Sequence, residues 1–109
     1  MTLVSPIPSV DPTEARSRID EGALLVDIRE QNEWDRVRIP GAELKPMSTV
    51  QEWFQDLPRD RDIVLQCQTG NRSGSLTEAL MHQAGFDNVY NLTGGIVAWA
   101  RAGFDIESG

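Results

Sequence analysis

Apolar residues fall in two patterns along this chain. Ala23–Ile28 and Asp62–Gln66 are short and almost continuously apolar, as strands covered on both faces are. Elsewhere the apolar positions recur three and four residues apart, the spacing of a helix face. Met47, Val50, Phe54 and Leu57 form one such stripe, which stops at Pro58. Leu76, Ala79, Leu80 and Ala84 form another within a helix predicted over Ser73–Ala84, with Gly85 as its stop. Ile96, Trp99 and Ala100 share one face of a last helix opened by Gly94-Gly95. Shorter elements fill the rest: strands at Pro8–Val10, around Ala42–Leu44 after the Pro40-Gly41 turn, and at Asn88–Leu92, with a short helix at Glu30–Arg36.

The helix starts carry their own chemistry. In Asp11-Pro12-Thr13-Glu14, Asp11 suits a cap, Pro12 the first turn, and Glu14 the return half of a capping box; the helix they open ends at Gly22. Ser48 and Gln51 offer a second box. Strands alternating with helices predict an α/β fold around a mostly parallel sheet. In such folds ligands bind at the carboxyl ends of strands, near helix N-termini.

Composition narrows the class. A chain of 109 residues, 39% hydrophobic and 25% charged, fits one domain with a packed core over residues 1–109. No apolar run approaches the ~18 residues that cross a bilayer, and MTLVSPIPSV has neither the basic nor the apolar region of a signal peptide. Ten basic residues against 17 acidic ones give a formal charge of −7, which opposes attachment to nucleic acid or to anionic membranes. One cysteine, Cys67, excludes an internal disulfide and any multi-cysteine metal site. A lone thiol and the absence of a leader predict a cytoplasmic protein.

Cys67 stands where the chemistry of an α/β fold is expected. It follows the strand Asp62–Gln66 and precedes Gln68-Thr69-Gly70-Asn71-Arg72 and the helix from Ser73. Gly70 and Asn71 tolerate positive φ, so the backbone is able to curl with its N–H groups inward. A nest of this kind at a helix N-terminus stabilises a thiolate. Arg72 supplies the only formal charge between Cys67 and Leu76, and its fork suits an anionic substrate at the rim. A cysteine after a buried strand is in isolation an inert core residue; the glycine-bearing polar loop, the arginine and the helix together favour a nucleophile.

Three segments resemble the rhodanese family and together span nearly the whole chain. They are Leu25-Val26-Asp27-Ile28-Arg29 with Glu33-Trp34 and Ile39-Pro40-Gly41-Ala42, then Cys67 to Ser73, then Leu92-Thr93-Gly94-Gly95-Ile96 with Trp99. The resemblance implies a five-stranded, mostly parallel sheet flanked by helices on both faces, with Cys67 as catalytic nucleophile and Gln68, Thr69, Gly70, Asn71 and Arg72 as the persulfide-binding loop. It implies a sulfurtransferase that moves sulfane sulfur from thiosulfate or a persulfide donor to cyanide or a thiol acceptor, with no metal and no organic cofactor. Four residues separate Cys67 from Arg72, where the related cell-cycle phosphatases and arsenate reductases have five. The shorter ring suits one added sulfur atom better than a tetrahedral oxyanion.

The chain also departs from the family pattern. Val37 and Arg38 replace the usual Gly-His, and Gln68 and Thr69 stand where efficient thiosulfate users often carry basic residues, so weak thiosulfate use is expected. Asp27 and Arg29 are candidates for supporting the loop, with a scaffold ion pair involving Glu33 or a helix terminus favoured over substrate binding. Gly94 and Gly95 suit a close backbone approach to the site or a purely structural turn. Trp99 is the tryptophan expected nearest the pocket, although Trp34, Trp53 and Trp99 all suit packing. His82 is expected on the outer side of its helix. Besides an enzyme, two readings stay open: a carrier delivering persulfide to a sulfur-trafficking partner protein, and a non-catalytic regulatory module.

Overall fold

The computed structural model describes residues 7–109. The sequence reading that MTLVSPIPSV lacks the features of a signal peptide falls mostly on residues 1–6, which lie outside the described residues. In chain order the elements are β1 (Ser9–Val10), α1 (Pro12–Asp20), β2 (Leu24–Asp27), α2 (Gln31–Arg36), β3 (Val37–Arg38), β4 (Glu43–Leu44), α3 (Val50–Trp53), β5 (Ile63–Gln66), α4 (Asn71–Ala84), β6 (Val89–Leu92), α5 (Gly95–Arg101) and β7 (Glu107–Ser108).

Five strands pair in the order β1-β6-β5-β2-β4, all parallel, so every carboxyl end lies along one rim of the sheet. β5 is central and all four of its residues are buried, which is why its sequence is apolar without alternation. Side chains that alternate along the strands feed two cores. Ile63, Leu65 and Val26 meet Leu76, Leu80, Trp53 and Leu57 on one face. Val64, Leu25 and Leu92 meet Ala15, Ile96 and Trp99 on the other.

The amino rim is fastened by polar contacts. Arg18 bridges to Glu14 and to Asp62 at 2.9 Å, and lies over the Tyr90 ring. Arg61 donates to the Gly22 carbonyl, Arg59 to those of Ala84 and Gly85, and Asn88 to those of Pro58 and Arg61.

Several local expectations are corrected. Asp11 caps α1 by accepting from the Glu14 N–H at 2.8 Å, but the Glu14 carboxylate turns to Arg18, so the reciprocal half of the box is missing. The stripe from Met47 to Leu57 packs as expected, yet its backbone is one turn of α-helix between two 3₁₀ turns. No Ser48–Gln51 box forms there, because the Ser48 hydroxyl donates to Glu30 instead. Ala100 is exposed and does not share the buried face of Ile96 and Trp99. Val37 and Arg38, in the Gly-His positions, form β3 and pair antiparallel with β7 in a separate two-stranded sheet.

Candidate active site

The β5–α4 connection begins at the centre of the carboxyl rim. Gly70 has φ +97° and caps α4, so the chain reverses at once into the helix. α4 therefore starts at Asn71, two residues earlier than the predicted Ser73. Asn71 is helical and not left-handed, and Arg72 lies in the first turn.

This reversal gathers donors on one sulfur. Cys67 Sγ accepts from the Gly70 N–H at 3.1 Å and the Ser73 N–H at 3.4 Å, and lies 3.3 Å from Ser73 Oγ. The side chain is only 1% exposed, and burial alone raises a thiol. Hydrogen bonds from Ser73 Oγ and from the N–H groups of Ser73, Gly70 and Thr69 outweigh it, holding Cys67 below its ordinary value. Of the predicted loop, Thr69 and Gly70 thus serve the sulfur through their backbones, whereas the Gln68 side chain is exposed.

Arg72 does not present a free fork. Its two terminal nitrogens donate to both carboxylate oxygens of Glu33 at 2.8 and 2.9 Å. That pair, with burial opposing and the Glu30 N–H assisting, pulls Glu33 down to about 2. Arg72 is raised, chiefly by the same bond. The local positive charge is therefore largely neutralised, against the expectation of an open anion lure.

Asp27 and Arg29 pair with each other, not with Glu33. Arg29 donates to both Asp27 oxygens, at 2.8 to 3.2 Å, and to the Val37 carbonyl at 2.7 Å; both residues are almost fully buried. This is a scaffold pair whose isolated members would be costly. It holds the segment that carries Glu33 towards Arg72.

Gly94 and Gly95 give the close approach. A Cβ on Gly95 would lie 2.4 Å from the Cys67 carbonyl and 2.5 Å from that of Gln68. In its absence α5 donates from the Ile96 N–H to Cys67 O at 2.9 Å and from the Val97 N–H to Gln68 O at 3.2 Å. With those carbonyls turned to α5, the loop N–H groups face the sulfur.

Trp99 belongs to the core packed under α5. It is 1% exposed, packs on Phe104 and donates from its ring to the Asp105 carbonyl. Trp53 is buried and Trp34 lies beneath Arg38, while His82 is exposed as expected. Two residues were given no role at the sulfur in the sequence: Ser73, read as the end of the loop and the helix start, and Asn91, whose Oδ1 is 2.6 Å from Ser73 Oγ. A polar residue in the otherwise apolar run Val89–Leu92 was the available signal. Beside the loop lies a cavity of about 270 Å³ lined by Arg29, Glu33, Arg36, Gln68, Ile96 and Ile106 among others.

A rhodanese-like domain model matches residues 11–102. The chain belongs to the rhodanese family. Its rhodanese relatives include a sulfurtransferase of Allochromatium vinosum, 44% identical over 86 residues, the alignment covering 79% of each chain. The probable adenylyltransferase/sulfurtransferase MoeZ of Mycobacterium tuberculosis is 43% identical over 97 residues, which cover 85% of this chain but 24% of MoeZ. The chain thus spans about a quarter of the length of that relative. A rhodanese-related protein from Thermoplasma volcanium superposes with a TM-score of 0.80 at 25% identity, covering 92% of this chain and 97% of that one. The five-stranded parallel sheet with helices on both faces is the rhodanese fold, and the chemistry named for the sequence relatives is sulfur transfer. No helix among the described residues is long and apolar enough to cross a membrane.

Proposed function

We propose that this chain is a sulfurtransferase of the thiosulfate type, working as one rhodanese domain over residues 1–109 through a persulfide on Cys67. The observation that carries the reading is the convergence of the Gly70 and Ser73 N–H groups on the Cys67 sulfur, with the Ser73 hydroxyl 3.3 Å away. They stabilise an anionic sulfur in a place where water is scarce.

The Cys67 thiolate attacks the outer sulfur of thiosulfate. The sulfur–sulfur bond of the donor breaks, its electron pair leaves with sulfite, and the outer sulfur remains on Cys67. Cyanide or a thiolate then attacks that sulfur, and the breaking bond returns its electrons to Cys67. This is double displacement through a covalent intermediate. The same donors that hold the thiolate suit the persulfide anion, and neither half-reaction requires a metal. The four-residue spacing from Cys67 to Arg72 supports sulfur over phosphoryl chemistry.

A carrier role, in which a partner protein takes the sulfur, is a second reading with its own support. Arg72 is engaged by Glu33, which weakens the attraction for a small dianion, and the relative MoeZ carries the matching segment within a longer chain. An intact Cys67 in a donor-lined loop disfavours a non-catalytic module.

Intact-protein mass spectrometry after incubation with thiosulfate tests the proposal. Wild type gains one sulfur atom, and Cys67→Ala gains none. Thiocyanate release upon adding cyanide marks the enzyme; slow release despite full loading marks the carrier. Absence of added sulfur from thiosulfate and from several persulfide donors overturns both. Iodoacetamide alkylation of wild type reaches half its maximal rate below the ordinary thiol value of about 8.5.

A further inference from the structure

We propose that Asn91 is a positioning residue that sets the direction of the Ser73 hydroxyl proton, and through it the readiness of Cys67 to attack. The inference rests on reading Cys67 as the nucleophile.

A serine hydroxyl has one proton and two lone pairs. Ser73 Oγ has two neighbours competing for that proton: Asn91 Oδ1 at 2.6 Å and Cys67 Sγ at 3.3 Å. The shorter contact takes it. Ser73 then turns a lone pair to the sulfur, an arrangement that accepts a bond from a thiol S–H and offers nothing to a thiolate. When Cys67 loses its proton, the hydroxyl must swing round to donate to sulfur. Asn91 Oδ1 is then left facing an oxygen lone pair.

Rotation of the Asn91 amide resolves the conflict. It brings Nδ2 to Ser73 Oγ, giving a directed chain in which the amide donates to the hydroxyl and the hydroxyl donates to the sulfur. Among the described residues, the hydrogen bond of the Asn91 side chain is the one from Ser73 Oγ to Oδ1. The amide lies beside Gly70 and Gly74, whose missing Cβ atoms would come 3.8 and 3.4 Å from Nδ2. The Asn91 backbone stays fixed meanwhile, because it is paired in register with Leu65 of β5 and Ser9 of β1. Only the amide has two settings, one for the thiol and one for the anion.

The test compares alkylation–pH profiles for wild type, Asn91→Ala, Ser73→Ala and the double variant, using iodoacetamide. In Asn91→Ala the half-maximal pH shifts and the rate at neutral pH changes about three- to tenfold, because the amide no longer directs the hydroxyl proton. In the Ser73→Ala background the same replacement has no further effect, since Asn91 acts only through that hydroxyl. An unchanged half-point, or an equal shift in both backgrounds, overturns the proposal. If Asn91→Ala does not fold, the side-chain amide signal of Asn91 is followed by NMR in the wild-type chain. It moves with the Cys67 midpoint and stays still in Cys67→Ser; a signal that never moves in wild type overturns the proposal. Alkylation needs no sulfur donor, so a chain that takes up no sulfur defeats the proposed function while leaving this result readable.

Discussion

Asp27 ends β2 and Gln66, its register partner, ends β5, so the segments that follow leave the sheet from adjacent points on one rim. After β2, the polar groups are consumed in fixed pairs. Asp27 takes both ends of the Arg29 fork, Arg29 also reaches the Val37 carbonyl, Glu33 accepts from the Glu30 N–H and from Arg72, and Glu30 accepts from the Ser48 hydroxyl. After β5, the donors converge on a single sulfur, and the Gln66 amide makes no hydrogen bond to the described residues. The first segment is built as a brace and the second as a receptor for charge. A buried group whose partners are all supplied contributes rigidity. One whose donors wait for an anion contributes reactivity.

Three substitutions probe that contrast. Arg29→Ala should have the largest effect, because it leaves the Asp27 carboxylate buried without its cation. We expect a loss of about 3–5 kcal/mol in denaturant unfolding. Such a loss would confirm the brace, while a loss below ~1 kcal/mol would show that Asp27 finds other partners. Gly95→Ala should be intermediate: its Cβ meets two carbonyls of the Cys67 loop, displacing them. Stability should fall by ~1–3 kcal/mol, and thiocyanate formation by about a hundredfold. Retention of the wild-type rate would mean that the α5 contact does not set the loop.

Glu33→Gln should have the smallest effect, since the Arg72–Glu33 pair is partly exposed and contributes at most ~1 kcal/mol. Freeing Arg72 should lower the KM for thiosulfate about two- to fivefold with little change in kcat. Its pH signature follows from Glu33 lying near 2 against an ordinary value near 4.5. A carboxylate lowered by folding stabilises the fold fully above its ordinary value and loses that contribution as pH falls through the lowered one. The stabilities of wild type and Glu33→Gln should therefore converge between about pH 4.5 and pH 2.

How much of this was legible in the sequence depends on range. Asp11 before Pro12, the unbroken run Ile63-Val64-Leu65, Gly85 and Gly94-Gly95 act through the backbone or through nearest neighbours, and each was placed correctly. The position of Cys67 between a central strand and a helix was legible because strand, loop and helix are contiguous. Contacts between distant residues were not. Arg72 meets Glu33 39 positions away, and Ser48 leaves its own helix for Glu30 18 positions away. The pairing of Val37-Arg38 with Glu107-Ser108 joins segments with no apolar pattern to announce them. Asn71 was misplaced because Gly70 alone supplied the left-handed turn, leaving its neighbour free to start the helix. Asn91 was passed over because a polar side chain in a buried strand declares a need for a partner without saying which.

The polar fastenings made by Arg18, Arg59, Arg61 and Asn88 all sit at the end of the sheet opposite Cys67. The architecture is consequently modular along the strand axis. Surface changes that tune solubility or attach a neighbouring unit can accumulate at one pole without retuning the reagent at the other. A designer seeking a new acceptor would alter the sulfur-bearing pole and leave these anchors untouched.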